Sequence, residues 1–117
     1  MFQTQDPNCL FCKIVKGEIP ANVIHQDEKC VAFYDIDPQA PVHFLVIPKV
    51  HIGSCGELNE GNSLVVKHCF EVIAKVTKKL GVADFRVVSN CGVQAGQSVP
   101  HLHFHVLAGR DMTWPPG

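Results

Sequence analysis

The chain has 117 residues, of which 46% are hydrophobic and 18% charged, and its formal net charge is -1 when histidine is neutral. This length and balance predict one folded domain, residues 1–117, and exclude an intrinsically disordered chain. The small net charge provides no general attraction to nucleic acid or to anionic membranes, so we expect neither as a partner. A phosphate site would have to be local, built from histidines and backbone N–H groups.

The segment from Met1 to Asp6 has neither the basic nor the apolar region of a signal peptide, and no apolar run is long enough to span a bilayer. We therefore expect a cytoplasmic protein. The six cysteines are expected to be reduced, because a core of this size folds without disulfides and nothing directs the chain to an oxidising compartment.

The hydrophobic pattern predicts, in chain order, a short helix, three strands, one long amphipathic helix and two further strands. The helices are predicted at 10–16 and 62–80, each followed by a glycine, and the strands at 23–26, 30–34, 42–47, 85–89 and 99–108. Loops are expected at 35–41, 49–61 and 90–98, and residues 110–117 form an irregular tail. This order predicts an α+β domain, an antiparallel sheet with both helices on one face.

Three histidines alternate with apolar residues between His101 and Val106. Side chains of a strand alternate between its faces, so His101, His103 and His105 are predicted to share one face while their neighbours pack in the core. Three adjacent imidazoles are seldom needed for stability, and each titrates near neutral pH. A solvated, histidine-rich edge strand and a pair of metal ligands are the alternative interpretations.

The loop before the histidines favours phosphate chemistry. It contains Asn90, Gly92, Gly96, Gln97 and Ser98. Glycines let backbone N–H groups converge on an anion, and Ser98 adds a hydroxyl donor. A loop of this kind beside three histidines predicts a phosphate cradle next to a nucleophile.

Histidine can perform such a reaction as a nucleophile. A neutral imidazole nitrogen of one of the three histidines could attack phosphorus, provided that an acceptor such as a backbone carbonyl holds the other ring N–H and so determines the tautomer. A neighbouring imidazole and N–H donors would stabilise the charge on the phosphoryl oxygens. Ser98 is positioned to protonate the leaving group, and water would then resolve the covalent intermediate.

Cys9 and Cys12 have the two-residue spacing of zinc ligands. A closed tetrahedral site needs two more ligands, and the sequence offers His51 and His101. Such a site would be structural and would leave His103 free for catalysis. The alternative is a pair of buried thiols on a short helix.

The sequence GQSVPHLHFHV at 96–106 resembles the signature of the histidine triad (HIT) superfamily, specifically its branch of histidine triad nucleotide-binding proteins. The resemblance extends to FCKI at 11–14, FYDI at 33–36, PQAPVHFLVIPK at 38–49 and GRDMTWPPG at 109–117. It implies a HIT-like fold and a homodimer in which each subunit binds a purine nucleotide resembling AMP or GMP. It also implies hydrolysis of purine nucleoside 5'-phosphoramidates or acyl-adenylates, with no cofactor required for catalysis.

The resemblance also implies roles for individual residues. His103 would carry the nucleotidyl group, His43 would support the triad, Asp35 would hold the ribose, and Trp114 would approach the partner subunit's site. The phosphate would be held by Asn90, Gly96, Gln97, Ser98 and His105. The base pocket would be lined by Leu10, Phe11, Ile14, Phe33 and Ile36. Some bacterial members carry a zinc site whose ligands match Cys9, Cys12, His51 and His101.

Three other functions remain open from the sequence. The protein could hydrolyse dinucleoside polyphosphates, serve as a nucleotide-binding interaction module with incidental hydrolase activity, or use its histidines as ligands of a catalytic metal. Ser98 and the tail ending Trp-Pro-Pro-Gly favour the phosphoramidase over the polyphosphate hydrolase.

Overall fold

The computed structural model describes residues 5–117. The expectation that the chain has no signal peptide rests partly on residues 1–4, which lie outside this range. The helices are α1 (Leu10–Val15) and α2 (Leu64–Lys79), with short 3-10 turns at Cys55–Glu57 and Val93–Ala95. The strands are β1 (Val23–Gln26), β2 (Cys30–Tyr34), β3 (Val42–Pro48), β4 (Arg86–Val88) and β5 (Phe104–Ala108).

The strands form one antiparallel sheet in the order β1-β2-β3-β5-β4. The predicted α+β architecture is confirmed, and the predicted bounds of β1 and β2 match the structure. β5 lies between β3 and β4, so the strand that contains His105 occupies an interior position of the sheet. His105 is directly opposite Leu45 of β3.

The two helices pack on opposite faces of the sheet, so the prediction that both lie on one face is wrong. Successive residues of β3 alternate between the two layers: Phe44 and Val46 pack against α2, whereas Leu45 and Ile47 pack against α1. Because β3 is buried along nearly its whole length, it has no solvent-facing side. Its continuous apolar run already indicated a strand covered on both faces.

α2 covers one face of the sheet with an apolar stripe. Cys69, Val72, Ile73 and Val76 are buried from it, and the opposite side of the helix is exposed. Gly81, with φ of 74°, follows the C-cap residue and ends the helix. The positive charges of the lysines in the last turn interact favourably with the negative end of the helix dipole. Within residues 5–117, no helix has the length and apolar character that crossing a membrane requires.

The last strand is shorter than predicted. It begins at Phe104, not at residue 99. Pro100 has no N–H to donate, and the N–H of Leu102 donates to the carbonyl of Ile52 in a loop at 2.6 Å instead of to a strand. His101 and His103 therefore stand on irregular backbone, although Leu102 and Phe104 still enter the α2 core as the alternation predicts.

Candidate active site and metal centre

A cavity of about 320 Å³ opens between α1, the segment after it, and the α1 face of the sheet. Nine residues that the sequence predicted for the site line this cavity: Leu10, Phe11, Ile14, Phe33, Asp35, Ile36, Ser98, His103 and His105. Its walls are mostly apolar, and they also include the Asp35 carboxylate, the Ser98 hydroxyl and the imidazoles of His103 and His105. This is the usual composition of a pocket for a flat apolar ring attached to a polar group.

Six further residues line the cavity that the sequence analysis did not name: Ile19, Pro20, Ala21, Tyr34, Leu45 and Val99. Strand alternation was a signal for Leu45, because it lies two residues after His43 and therefore on the same face of β3. The residues after α1 had no comparable signal, since their position depends on how that segment folds back over the sheet.

His103 is held with one ring nitrogen bonded and the other available. Its Nδ1 lies 2.6 Å from the carbonyl oxygen of His101, which can only accept, so Nδ1 carries the hydrogen. Nε2 therefore keeps its lone pair. The side chain is 96% buried, and its ring packs edge-on against Phe11, with ring centroids 5.1 Å apart. The imidazole thus has one defined tautomer and orientation.

His105 is oriented by a chain of hydrogen bonds that begins at the backbone. The N–H of Gln39 donates to Nδ1 of His43 at 3.0 Å, so the neutral ring of His43 carries its hydrogen on Nε2. That Nε2 lies 2.9 Å from Nδ1 of His105 and donates to it. Neutral His105 must then carry its hydrogen on Nε2, which leaves a donor for a ligand in the cavity.

Burial keeps this pair neutral. It lowers the pKa of His105 to about 4, with His103 and His43 contributing in the same direction. Burial also lowers the pKa of His43, against the opposing effect of the Asp35 carboxylate. Oδ2 of Asp35 lies 3.4 Å from Nε2 of His43 and 3.9 Å from Nδ1 of His105. At neutral pH His105 and His43 are therefore imidazoles and not imidazolium ions.

The loop from Asn90 to Ser98 is organised by the side chain of Gln97. Its Oε1 accepts from the N–H of Gly92 at 2.8 Å, and its Nε2 donates to the carbonyls of Gly53 and Val99 at 2.8 and 3.0 Å. Gly92 and Gly96 have φ values of 91° and 98°, which other residues rarely adopt. The amide of Gln97 is thus occupied by backbone groups, and Gln97 does not line the cavity.

Asn90, Gly96, His43 and Trp114 are also absent from the cavity lining. Asn90 lies against Gly96, His43 lies behind His105, and Trp114 is 82% exposed in the tail. The tail is attached to the domain through Thr113, whose carbonyl accepts from Nη2 of Arg86 at 3.0 Å. Within one subunit, Trp114 therefore stands apart from the cavity.

Four predicted metal ligands meet beneath the triad. The ligand atoms of Cys9, Cys12, His51 and His101 all lie within 4.8 Å of one another. Nδ1 of His51 is 3.2 Å from Nδ1 of His101, which is 3.3 Å from Sγ of Cys9 and 3.5 Å from Sγ of Cys12. In a tetrahedral site, zinc lies about 2.0 Å from each nitrogen and about 2.3 Å from each sulfur. Two nitrogen ligands are then about 3.3 Å apart, and a nitrogen and a sulfur ligand about 3.6 Å apart. The observed separations fit such a tetrahedron.

The protonation of His101 is also the one that a metal requires. Its Nε2 donates to the carbonyl of Pro48 at 2.9 Å, so Nδ1 has a free lone pair toward the other three ligand atoms. Burial lowers the pKa of His101 to about 4 and raises the pKa of Cys12 to about 11. The carbonyl of the same His101 accepts from His103, so the cluster and the triad share a residue.

Comparison with known proteins identifies relatives of this chain and supports the fold. A family model described as "Scavenger mRNA decapping enzyme C-term binding" matches residues 8–114. The chain is 46% identical over 115 residues to a 14 kDa zinc-binding protein of Zea mays, covering 96% of this chain and 90% of that one. It is 42% identical over 109 residues to an uncharacterized HIT-like protein of Synechocystis, covering 92% and 96%.

Two solved structures share this fold over nearly the whole length of their own chains. A HIT family hydrolase from Legionella pneumophila superposes with a TM-score of 0.91 at 46% identity, covering 94% of this chain and 100% of that one. A HIT family hydrolase from Clostridium thermocellum has the same TM-score and identity, covering 93% and 96%. The fold and the histidine cluster thus define a HIT-type domain. The chain belongs to the histidine triad superfamily, as the signature at 96–106 indicated.

Proposed function

We propose that this protein is a nucleotide-binding hydrolase that cleaves purine nucleoside 5'-phosphoramidates or acyl-adenylates through a covalent nucleotidyl-histidine intermediate. The observation that carries the proposal is the single tautomer of His103, whose Nε2 lone pair is free beside the Nε2–H donor of His105. A nucleophile next to a neutral donor is what attack at a phosphoryl group needs. The hydrolases among its structural relatives support the same reaction class.

The cavity suggests how the substrate would lie. A purine ring fits among the apolar side chains around Phe11 and Phe33, whose rings meet edge-on with centroids 5.7 Å apart. The Asp35 carboxylate lines the cavity, with Oδ2 3.9 Å from Nδ1 of His105, and would accept from ribose hydroxyls. The phosphoryl group would then lie near His103 and His105, with the loop ending at Ser98 beside it.

The first chemical step forms one bond and breaks another. Nε2 of His103 attacks phosphorus while the bond from phosphorus to the leaving nitrogen, or to the acyl oxygen, breaks. The leaving group takes the bonding electron pair, and for an amine it also takes a proton, for which the Ser98 hydroxyl is the nearby donor. The Nε2–H of His105 stabilises the charge on a phosphoryl oxygen. The hydrogen bond from Nδ1 to the His101 carbonyl supports the positive charge on the substituted ring.

In the second step water attacks the phosphorus of the intermediate. The N–P bond breaks, its electron pair returns to Nε2 of His103, and a nucleoside monophosphate is released. The proton lost by water replaces the one given to the leaving group. The nucleophile is thereby regenerated in its original tautomer, because the His101 carbonyl continues to hold the hydrogen on Nδ1.

Replacing the nucleophile tests the proposal. His103→Ala is expected to lower kcat for an adenosine 5'-phosphoramidate by about a thousandfold or more, while AMP affinity and the unfolding midpoint change little. His25→Ala, which removes a histidine that does not line the cavity, is the matched control. Hydrolysis retained by His103→Ala contradicts the assignment, and faster cleavage of a diadenosine polyphosphate than of the phosphoramidate identifies the alternative substrate class.

We also propose that Cys9, Cys12, His51 and His101 hold a structural zinc ion. The near-tetrahedral separations of the four ligand atoms support this, as does the zinc-binding relative from Zea mays. When bound, zinc would supply a rigid crosslink between α1, the segment after β3 and the triad. Elemental analysis of untagged protein is expected to give about one zinc per chain. Zinc-free protein in which the thiols of Cys9 and Cys12 titrate as readily as the exposed Cys55 and Cys91 would contradict the site.

A homodimer is the assembly that we propose. Large apolar side chains are exposed on the isolated chain, among them Leu64, Phe70 and Val93, and the edge strand β4 has a free side. Burial of such surface in a symmetric interface is a common way to cover it. Sedimentation equilibrium is expected to give twice the mass of one chain, and a monomer at micromolar concentration would contradict the assembly.

The cytoplasmic location stays a prediction.

A further inference from the structure

Two of the six cysteines are exposed and belong neither to the metal cluster nor to the core. They are Cys55, in the 3-10 turn after β3, and Cys91, in the loop before the triad. Cys9 and Cys12 belong to the candidate metal cluster, whereas Cys30 of β2 and Cys69 of α2 are buried in the core between that helix and the sheet. The sulfur of Cys91 lies against the two residues that flank Cys55, namely Ser54 and Gly56, although 35 residues of chain separate the two cysteines.

The sulfur of Cys91 lies in a small group of hydrogen-bond donors. The hydroxyl of Ser54 is 3.3 Å from Sγ of Cys91, and the N–H of Gly56 donates to the same hydroxyl oxygen at 3.2 Å. Because Ser54 accepts from Gly56, its own hydrogen is available to the sulfur. A Cβ at Gly56 would lie 2.9 Å from Sγ, so only glycine leaves the space that the sulfur occupies.

These donors favour the thiolate. The Ser54 hydroxyl, then the Gly56 N–H and the Cys55 side chain, lower the pKa of Cys91, against the opposing effects of desolvation and of the Glu57 carboxylate. Cys91 is exposed, so a small reagent can reach it. Exposure combined with a stabilised thiolate is the environment in which cysteine reacts with electrophiles.

We propose that Cys91 and Cys55 form a redox-reactive pair in which a hydroperoxide oxidises Cys91 and Cys55 then closes an intramolecular disulfide. In the first step the Cys91 thiolate attacks one peroxide oxygen, the O–O bond breaks, and the products are a sulfenic acid and, after protonation, an alcohol or water. In the second step the Cys55 sulfur attacks the sulfenic sulfur, the S–O bond breaks, and one water leaves. The two thiols lose two electrons in total and the peroxide gains them.

The disulfide would connect two segments that flank the site. Cys91 follows Asn90 at the start of the loop that Gln97 organises, and Cys55 lies in the segment that contains Gly53, to which Gln97 already bonds. The crosslink would restrain the loop against this segment. An effect on nucleotide binding rests on the proposed function, so the deciding experiment measures the thiols themselves.

The experiment compares alkylation and oxidation at individual cysteines of the full-length, zinc-loaded protein. Iodoacetamide labelling followed by peptide mass spectrometry is expected to modify Cys91 at lower pH than Cys55, and Ser54→Ala is expected to slow labelling of Cys91 at pH 7 by about fivefold. After one equivalent of hydrogen peroxide, a Cys55–Cys91 crosslinked peptide is expected within a single chain.

Two variants separate the steps. In Cys55→Ser the sulfenic acid at Cys91 should persist and be captured by dimedone, whereas in Cys91→Ser the thiol at Cys55 should remain reduced. A thermal melt of each variant checks that it is folded. Equal labelling of the two thiols overturns the proposal. So does a disulfide that joins two chains, seen as a dimer on a non-reducing gel, or oxidation that begins at Cys9 and Cys12.

Discussion

At the scale of single residues, backbone groups determine which ring nitrogen of His43, His101 and His103 is protonated. The carbonyls of His101 and Pro48 accept from His103 and His101, and the N–H of Gln39 donates to His43. Each imidazole therefore has one nitrogen assigned before any ligand arrives. The chemistry of a histidine nucleophile predicts such an acceptor, but the sequence could not identify it as the carbonyl two residues earlier.

The neutral state of His105 predicts a specific loss of stability in acid. Unfolded His105 binds a proton with an ordinary pKa of 6.5, whereas the folded residue does so only at about 4. The free energy of unfolding therefore falls as the pH decreases from 6.5 toward 4, because the unfolded state gains the proton first. We expect His105 to account for about 2 kcal/mol of this loss, less than the full shift implies because the side chain is partly exposed.

Urea unfolding at pH 7.5 and pH 5, for the wild type and for His105→Gln, measures this contribution. The variant is expected to lose less stability between the two pH values. Any metal released in acid affects both proteins alike, so the difference between them isolates His105. Equal losses in the two proteins would show that His105 does not titrate as its burial indicates.

Gln97 is expected to act by positioning the loop. Gln97→Ala removes three hydrogen bonds to the backbone of Gly92, Gly53 and Val99. We expect AMP to bind about tenfold more weakly, a loss of about 1.4 kcal/mol, with a smaller change in kcat. Isothermal titration with AMP and steady-state kinetics separate the two effects. The exposed Gln94→Ala, in the same loop, is the control, and equal affinity in both variants would contradict a positioning role.

At the scale of elements, the late start of β5, at Phe104 instead of residue 99, helps to build the site. Residues 99–103 lie outside β5, so the carbonyl of His101 is not engaged in a sheet and can accept from the ring of His103. The proline at 100 contributes to this, since it lacks the N–H of an ordinary strand residue. The departure from the predicted strand thus occurs where the proposed nucleophile, His103, needs a free backbone acceptor.

α2 is expected to stabilise the domain through its buried stripe alone. Ile73 is 2% exposed in the core beneath the helix, whereas Lys75 faces outward. Ile73→Ala should lower the free energy of unfolding by about 3 kcal/mol, from lost burial and the cavity that remains. Lys75→Ala should change it by less than about 0.5 kcal/mol. Chemical denaturation gives both values, and similar losses would mean that the stripe is not the main contact.

At the scale of the whole molecule, the cluster of cysteines and histidines connects distant segments. α1, the residue His51 after β3 and the triad residue His101 meet there. Removal of zinc with a strong chelator is expected to lower Tm by about 10 °C or more, and added zinc should restore it. Cys12→Ser should show the lower Tm without chelator. A chelator-insensitive Tm in protein that elemental analysis shows to be zinc-loaded would mean that the metal adds little to stability.

Local patterns predicted most of the elements. β1 and β2 were located to the residue, and α2 within two residues at each end, because alternation and helical periodicity are local consequences of which face is buried. The placement of the short helix failed. Alternation gives a strand two faces, but only packing shows which helix covers each face. The cavity residues after α1 were missed for a similar reason, because no periodicity describes a segment that folds back over a sheet.

The sequence by itself determined the chemistry of the site: the alternating histidines, the glycine-containing loop and the paired cysteines are local patterns whose residue types limit what they can do. The tertiary structure alone decided which atoms of those groups meet. It brought Nδ1 of His101 to within 3.5 Å of His51 Nδ1 and the two cysteine sulfurs, and directed the ring hydrogen of His103 to a carbonyl. It also connected His105 to the backbone through His43 and engaged the Gln97 side chain in hydrogen bonds to the loop. Donors, acceptors and lone pairs are assigned by neighbours in space, and those neighbours are up to 92 residues apart in the chain.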